Sequence, residues 1–183
     1  MKRSFFWQTI KPQNLRNLSI LFVTALLFWF SITILLPVLP AYVEDVGGNP
    51  QEVGFVMGAF AIGLLFCRTW LGNLADQRSR KMVILIGVVV SAIAPLLYIF
   101  VQSIPGLMAS RAFHGISIAG FTTAYSALIV DLSPPQQRGE LIGYMSLSMP
   151  IGMAMGPALG GFLQESVGYQ GVFLLSSISG TLA

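Results

Sequence analysis

Charged residues are scarce in this sequence, and their scarcity excludes a water-soluble protein. Asp, Glu, Lys and Arg make up 9% of the 183 residues, whereas an average soluble domain has about 25%. So few charges cannot cover a soluble surface, and hydrophobic residues make up 55% of the chain. A mean hydropathy of +0.77, arranged in long runs without charge, predicts an all-α integral membrane protein.

Cysteine and histidine are also rare, with one residue of each. A single cysteine, Cys67, excludes an intrachain disulfide and a cysteine metal cluster, and its apolar neighbours favour a packing role. The basic residues are too dispersed for a nucleic-acid surface, although the net charge of +3 suits anionic lipid head groups. The sequence has no phosphate-binding loop or nucleophile elbow, so we expect no enzyme, metal or cofactor.

Gaps between charged residues divide the chain into helical spans, since about 20 apolar residues cross the hydrocarbon core. The predicted spans are residues 18–39, 53–71, 82–101 and 107–130, a fifth between Glu140 and Glu165, and a sixth over 171–183. The sixth would reach about 20 Å at the rise of an α-helix, so we expect a helix that is cut short. Residues 1–17 are predicted to form a head, and residues 18–183 a transmembrane bundle of five complete spans and the start of a sixth.

The basic residues indicate the orientation of the bundle in the membrane. Apart from Arg68 and Arg111, which lie within predicted spans, they fall in the head and in alternate loops: Lys2, Arg3, Lys11, Arg16, Arg78, Arg80, Lys81 and Arg138. Loops rich in Lys and Arg stay in the cytoplasm. We therefore predict a protein of the cell (plasma) membrane with a cytoplasmic N-terminus.

A short internal repeat relates the second predicted span to the fifth. Gly54 and Gly63 each follow Val or Ile, and Gly143 and Gly152 recur after Ile at the same spacing. Inverted repeats of three helices are typical of transporter halves. A chance match remains the alternative for so short a pattern.

The segment between spans two and three has the most specific pattern in the chain. A membrane anchor would need its bases alone, but here an acid and a glycine accompany them in a tight turn. The segment resembles the loop between helices two and three of the major facilitator superfamily, with the pattern G-x-L-a-D-r-x-G-R-K. The matching residues are Gly72, Leu74, Asp76, Arg80 and Lys81, while Gln77 and Ser79 depart from the pattern.

The resemblance implies that this loop is a conformational latch between two halves of a transporter. In the family, the acid and the later arginine join a charge chain with an acid at the cytoplasmic end of helix four. Asp131 occupies that place here. We therefore expect Asp76, Arg80 and Asp131 to form the chain, with Gly72 and Lys81 beside it.

Two prolines near the end of the first span, Pro37 and Pro40, each remove a helical hydrogen bond. They either end the helix or bend it. The run from Pro37 to Pro40 resembles the P-v-x-P signature in helix one of the twelve-helix drug–proton antiporters of this superfamily.

The fourth span carries Arg111, His114 and Gly115 near its start. A guanidinium inside a membrane helix usually faces a cavity or a partner, and His114 shares its face at i+3. Snorkelling of Arg111 to the surface is the alternative. The group resembles the R-x-x-q-G signature linked to proton transfer and substrate handling, so these three residues are candidates for cavity lining and coupling, with a titratable histidine in place of glutamine.

The fifth span contains Gly152, Gly156, Pro157, Gly160 and Gly161. Small residues at every fourth position let helices pack closely. The string also resembles the G-x-x-x-G-P-x-x-G-G signature of family members that export by antiport, in which the Gly-Pro pair is expected to kink the helix.

Together these motifs resemble the N-terminal half of a major facilitator, a six-helix unit with its last helix cut short. The resemblance implies proton-coupled efflux of small molecules or drugs, driven by a proton or ion gradient without a cofactor. Its partners would be the lipid bilayer, a small-molecule substrate and a missing C-terminal half. A facilitator-type importer of sugars or organic acids and a non-transporting fragment remain alternatives, since the spans contain no Asp or Glu to carry protons.

Overall fold

The structure is a computed structural model, and it describes residues 11–183. Lys2 and Arg3 of the predicted head lie outside the described residues. The helices are α1 (Pro12–Thr33), α2 (Leu35–Asp45), α3 (Pro50–Gln77), α4 (Arg80–Phe100), α5 (Ile104–Leu132), α6 (Arg138–Ser146) and α7 (Ser148–Leu182), with a 3-10 turn at Pro135–Gln137. The predicted all-α fold is confirmed.

Five segments of the described chain are long and apolar enough to cross a membrane. The first, Pro12–Asp45, begins inside the predicted head and continues beyond the predicted end of span one. The last, Pro135–Leu182, has 48 residues, which is enough for two crossings. Gly168 divides it with a φ of 70°, a conformation that glycine adopts at little cost. Spans five and six are therefore separated at Gly168.

Local chemistry defines the start of α3. The Asn49 side-chain oxygen accepts hydrogen bonds from the backbone N–H groups of Gln51 and Glu52, each at 3.0 Å. The Glu52 carboxylate accepts one from the Asn49 backbone N–H at 2.9 Å. This reciprocal capping box satisfies amides that the first helical turn leaves free, and Pro50 at the first helical position needs no such partner.

The ends of the bundle differ in charge. The basic end carries Arg78, Arg80, Lys81 and Arg138, and the acidic end carries Glu44, Asp45, Glu52 and Glu165. One apolar core cluster contains Phe28, which stacks on Phe121 with a centroid separation of 3.9 Å. A second cluster, nearer the acidic end, contains Tyr98 and Phe173.

Helices α3 and α7 are less enclosed than the others. In their most apolar windows 17% and 22% of residues are buried, against 44% to 50% for α1, α4 and α5. Leu65, Phe66 and Trp70 of α3 are among the exposed hydrophobic side chains. The outward faces of these two helices are apolar, as contact with lipid or with another helical unit requires.

Candidate functional site

Close packing of α3 against α5 builds the centre of the site. A Cβ on Gly63 would overlap the Ala112 carbonyl oxygen, and a Cβ on Gly115 would overlap the Phe60 carbonyl oxygen. Both positions therefore require the absence of a side chain. This approach places the Phe60 ring against the face of α5 that carries Arg111.

Arg111 lies in the interior of this helical unit. Its side chain is 3% exposed, and its guanidinium carbon lies 4.6 Å from the centroid of the Phe60 ring. A cation over an aromatic face gains about 2 kcal/mol when desolvated. Within residues 11–183, Arg111 has no ion pair, and its Nε and Nη1 atoms have no hydrogen-bond partner.

This position bears on the two expectations for Arg111. Its burial among the helices of the unit argues against snorkelling to the membrane surface, whereas its role in lining a cavity stays a prediction. Gly63 and Gly115 bring α3 close enough for Phe60 to cover the guanidinium. The charge is thus enclosed by the unit's own helices, where an unpaired cation costs at least about 2.5 kcal/mol.

His114 lies on the same face of α5 and is fully buried. Its Nδ1 atom is 3.1 Å from the Tyr98 hydroxyl oxygen of α4, whereas its Nε2 atom has no hydrogen-bond partner in the part of the chain that the structure describes. The Phe60 ring meets the imidazole edge to face, with centroids 5.7 Å apart. The predicted pairing of Arg111 and His114 on one face is therefore present in the structure, with two further residues around it.

Sequence reasoning did not connect Phe60 or Tyr98 with Arg111 and His114. Both come from helices other than α5, so no spacing in the sequence connects them to Arg111. A usable signal existed for Phe60, because buried cations favour aromatic faces and Gly63 marks a close helix contact one turn away. Tyr98 is one of only two hydroxyl-bearing residues in the predicted third span, which makes it a natural candidate for bonding a buried histidine.

At the basic end, an ion pair joins the start of α4 to the end of α5. Arg80 Nη1 lies 2.5 Å from Asp131 Oδ2 and also donates to the Ala127 carbonyl oxygen. Asp76 is exposed and forms no ion pair with any described residue. Two members of the expected charge chain therefore meet, while the third stands apart from them.

The loop itself is shorter than the sequence suggested. Helix α3 continues to Gln77 and α4 begins at Arg80, so Arg78 and Ser79 alone form the turn. Ser79 has φ −162°, an extended conformation that any residue adopts, and its hydroxyl caps the Met82 N–H at 3.4 Å. The serine in place of the family's glycine is therefore compatible with this turn.

The other loop residues have less specific surroundings. A Cβ on Gly72 would meet the nearest atom, Thr123 Cγ2, at 3.5 Å, which is ordinary contact. Lys81 is exposed at the start of α4. Among the described residues, neither Gly72 nor Lys81 forms a hydrogen bond or ion pair with Arg80 or Asp131.

Pro37 and Pro40 do not end the first span. The helical hydrogen bonding is interrupted near Ile34, although Ile34 keeps helical dihedral angles (φ −59°, ψ −25°), and the chain continues as α2 to Asp45. Pro37 has no N–H for the Thr33 carbonyl four residues earlier, which accounts for an interruption at this point. The Thr33 hydroxyl donates to the carbonyl oxygens of Trp29 and Gly152 at 2.8 and 2.9 Å, which ties the interruption to α7.

The glycines of the fifth span divide into two groups. A Cβ on Gly152, Gly156 or Gly160 would collide with the chain of α1 or with Ile34, whereas one on Gly161 would meet nothing within 4 Å. Helical dihedral angles persist through Gly156 and Pro157, and the departure in α7 is at Gly168. Gly152, Gly156 and Gly160 therefore act in packing. The helix does not break at Gly156–Pro157, and the expected kink there stays a prediction.

The family and its relatives agree with this architecture. The family model of the Major Facilitator Superfamily matches residues 21–183. The quinolone resistance protein NorA of Staphylococcus aureus is 30% identical over 168 residues, which are 92% of this chain and 43% of that protein. The uncharacterized MFS-type transporter MJ1560 of Methanocaldococcus jannaschii is 26% identical over 168 residues, covering 92% of this chain and 44% of that protein.

Solved structures share the fold. The human organic anion transporter MFSD10 (TETRAN) gives a TM-score of 0.77 at 21% identity, covering 94% of this chain and 47% of that one. A bacterial homolog to the human lysosomal transporter Spinster, inward-facing and occupied, gives 0.81 at 21% identity, covering 94% and 43%. The chain thus spans less than half the length of the relatives it matches, as expected for half of a major facilitator fold.

Proposed function

We propose that this chain, which belongs to the Major Facilitator Superfamily, is part of a secondary active transporter that exports small molecules in exchange for protons. In this proposal the bundle spans the plasma membrane with its basic end in the cytoplasm. A second helical half completes the transport path against the exposed faces of α3 and α7.

The observation that carries the proposal is the buried group around Arg111. A bundle that serves only as a membrane scaffold has no need of an unpaired guanidinium with 3% exposure, because its burial is unfavourable. His114 places an ionisable imidazole in the same interior. Intramembrane ionisable groups of this kind are typical of proton and substrate pathways.

Export is favoured over import by two further observations. The glycine–proline string of the fifth span resembles that of antiport exporters, and three of its glycines contact α1 or Ile34 directly. A relative with 30% identity is named as a quinolone resistance protein. Organic molecules similar to quinolones in size and polarity are therefore the substrates to test first.

The ion pair at the basic end fits a latch in one conformation. Arg80 and Asp131 fix the start of α4 to the end of α5, and both side chains are accessible enough to exchange partners. In the proposed cycle, Asp76 joins this pair when the two halves approach at the basic end. Such a change of partners would bias one conformation over the other.

The test uses the full-length protein in proteoliposomes with an acidic lumen. A fluorescent quinolone outside the vesicles should accumulate inside as protons leave, and a protonophore should abolish the accumulation. Arg111→Lys, which keeps the charge but loses the planar fork, should slow accumulation. Uptake that ignores the protonophore would indicate a facilitator, and no uptake of any tested solute would favour a non-transporting protein.

A further inference from the structure

Tyr98 connects three helices at the level of His114. Its side chain is fully buried, its ring packs against Phe173 of α7 with centroids 5.6 Å apart, and its carbonyl oxygen accepts a hydrogen bond from the Tyr42 hydroxyl at 3.1 Å. These contacts fix the position of its hydroxyl, which lies 3.1 Å from His114 Nδ1. No family motif noted in the sequence includes this tyrosine.

The direction of the Tyr98–His114 hydrogen bond follows from the groups that each tautomer leaves unpaired. His114 Nε2 has no hydrogen-bond partner among the described residues, so neither tautomer satisfies that atom. With the imidazole proton on Nδ1, the Tyr98 oxygen would accept it, and the buried Tyr98 O–H would have no acceptor within residues 11–183. With Nδ1 unprotonated, the Tyr98 O–H donates to it, which leaves fewer buried polar groups unpaired.

The close packing of α4 on α5 makes this arrangement rigid. A Cβ on Gly87 of α4 would lie 2.7 Å from the Ser117 carbonyl oxygen and 2.7 Å from the Phe121 N atom of α5. The two helices therefore meet backbone to backbone one to two turns from His114. Neither helix can slide far without a collision, so the distance between the hydroxyl and the imidazole is maintained.

We propose that Tyr98 is a positioning residue that holds neutral His114 in the tautomer with its proton on Nε2. The role of this tautomer in transport rests on the proposed function, proton-coupled export. A proton taken up by His114 binds Nδ1, and Tyr98 must then change from hydrogen-bond donor to acceptor. The Tyr98 O–H then has to rotate away from the imidazole. The protonation state of His114 is thereby transmitted to Tyr98, which packs on α2 and α7.

The groups that face His114 are few, which makes the proposal testable. Arg111 comes from its own helix, Tyr98 from α4 and the uncharged Phe60 from α3. No Asp, Glu or Lys of the described chain has a recorded interaction with it. Tyr98 is thus the uncharged titratable partner whose removal changes the hydrogen bonding of the imidazole directly.

The first experiment measures the tautomer itself. Full-length protein labelled with 15N-histidine is studied by solid-state NMR, and the His114 signals are assigned by their loss in His114→Gln. Neutral His114 should carry its proton on Nε2, and Tyr98→Phe should give a mixture of tautomers. A proton on Nδ1 in the unaltered protein, or the same tautomer in Tyr98→Phe, would overturn the proposal.

Tyr125→Phe is the matched control, because Tyr125 is also buried on α5 but donates to the Met145 carbonyl oxygen at 3.0 Å. It should leave the His114 tautomer unchanged. If Tyr125→Phe altered the tautomer as Tyr98→Phe does, the effect would be a general loosening of the bundle, and the specific role of Tyr98 would be refuted.

A second experiment separates this inference from the proposed function. Tyr98→Phe should move the midpoint of the pH profile of transport by about half a pH unit or more, and should have no such effect in the His114→Gln background. Transport independent of pH, with the Nε2 tautomer confirmed, would refute proton coupling and leave the positioning role intact. If transport depends on pH but Tyr98→Phe does not alter its pH profile, the positioning role is refuted and proton coupling is left intact.

Discussion

Replacing Gly156 by alanine should destabilise the protein, whereas the same change at Gly161 should not. A Cβ on Gly156 would lie 2.7 Å from the Ile34 N atom and 2.8 Å from the Thr33 carbonyl carbon. These are backbone atoms that cannot rotate away. A Cβ on Gly161, in the same helix and the same motif, would meet nothing within 4 Å.

The magnitude follows from comparing the two variants. Each gains about 1 kcal/mol of helix propensity from glycine to alanine, so this gain cancels in the difference. Gly156→Ala adds an overpacking term of about 1–3 kcal/mol, and the new methyl group also presses on Thr33, whose hydroxyl bonds the Gly152 carbonyl oxygen. The Gly156 variant should therefore be less stable than the Gly161 variant by about 1–3 kcal/mol.

The assay heats the full-length protein in detergent and measures the folded fraction by size-exclusion chromatography. The apparent Tm of Gly156→Ala should fall about 5 °C below that of Gly161→Ala. Equal Tm values would refute the assignment of this glycine stripe to contact with α1 and Ile34. A lower Tm for Gly161→Ala than for Gly156→Ala would show that α7 packs through the face that carries Gly161.

Three further predictions concern the ends of the bundle. Asp131→Asn should change stability by less than about 1 kcal/mol, because its pair with Arg80 is partly exposed to solvent, yet it should slow transport if the pair is part of a latch; a large loss of Tm with normal transport would contradict this. Asn49→Ala should lower the unfolding free energy by about 1 kcal/mol through loss of the capping box, and an unchanged Tm would count against it. With Cys67→Ser as background, a cysteine at Asn49 should react with an impermeant maleimide outside intact cells and one at Ser79 should not; the opposite labelling would invert the topology.

The order of the spans was predictable because charge gaps report directly on burial in a membrane. The boundaries were less so. Helix α1 starts at Pro12 and α3 ends at Gln77, since a helix continues into the interfacial region, where polar side chains are tolerated. The interruption at Ile34 lies three residues before Pro37, because a proline affects the carbonyl groups of the preceding turn.

The site was predictable only where one helix determines it. Arg111 and His114 share a face because of the 3.6-residue period, and the sequence alone contains that information. Phe60 and Tyr98 reach them from α3 and α4, and their placement depends on the relative register of helices. Glycine contacts such as Gly63 with Ala112 set that register, and a glycine in one helix does not identify the residue that it meets on the other.

The internal repeat shows how packing reveals what a short sequence match leaves open. Four of the five buried positions of α3 recur with the same spacing in the fifth span: Val56, Ala59, Gly63 and Leu71 correspond to Met145, Ser148, Gly152 and Gly160. Gly63 contacts α5 and Gly152 contacts α1. If spans one to three correspond to spans four to six, α1 corresponds to α5, and these are the same contact made twice. A chance match between two glycine motifs gives no reason for equivalent partners, whereas a repeated three-helix unit requires them.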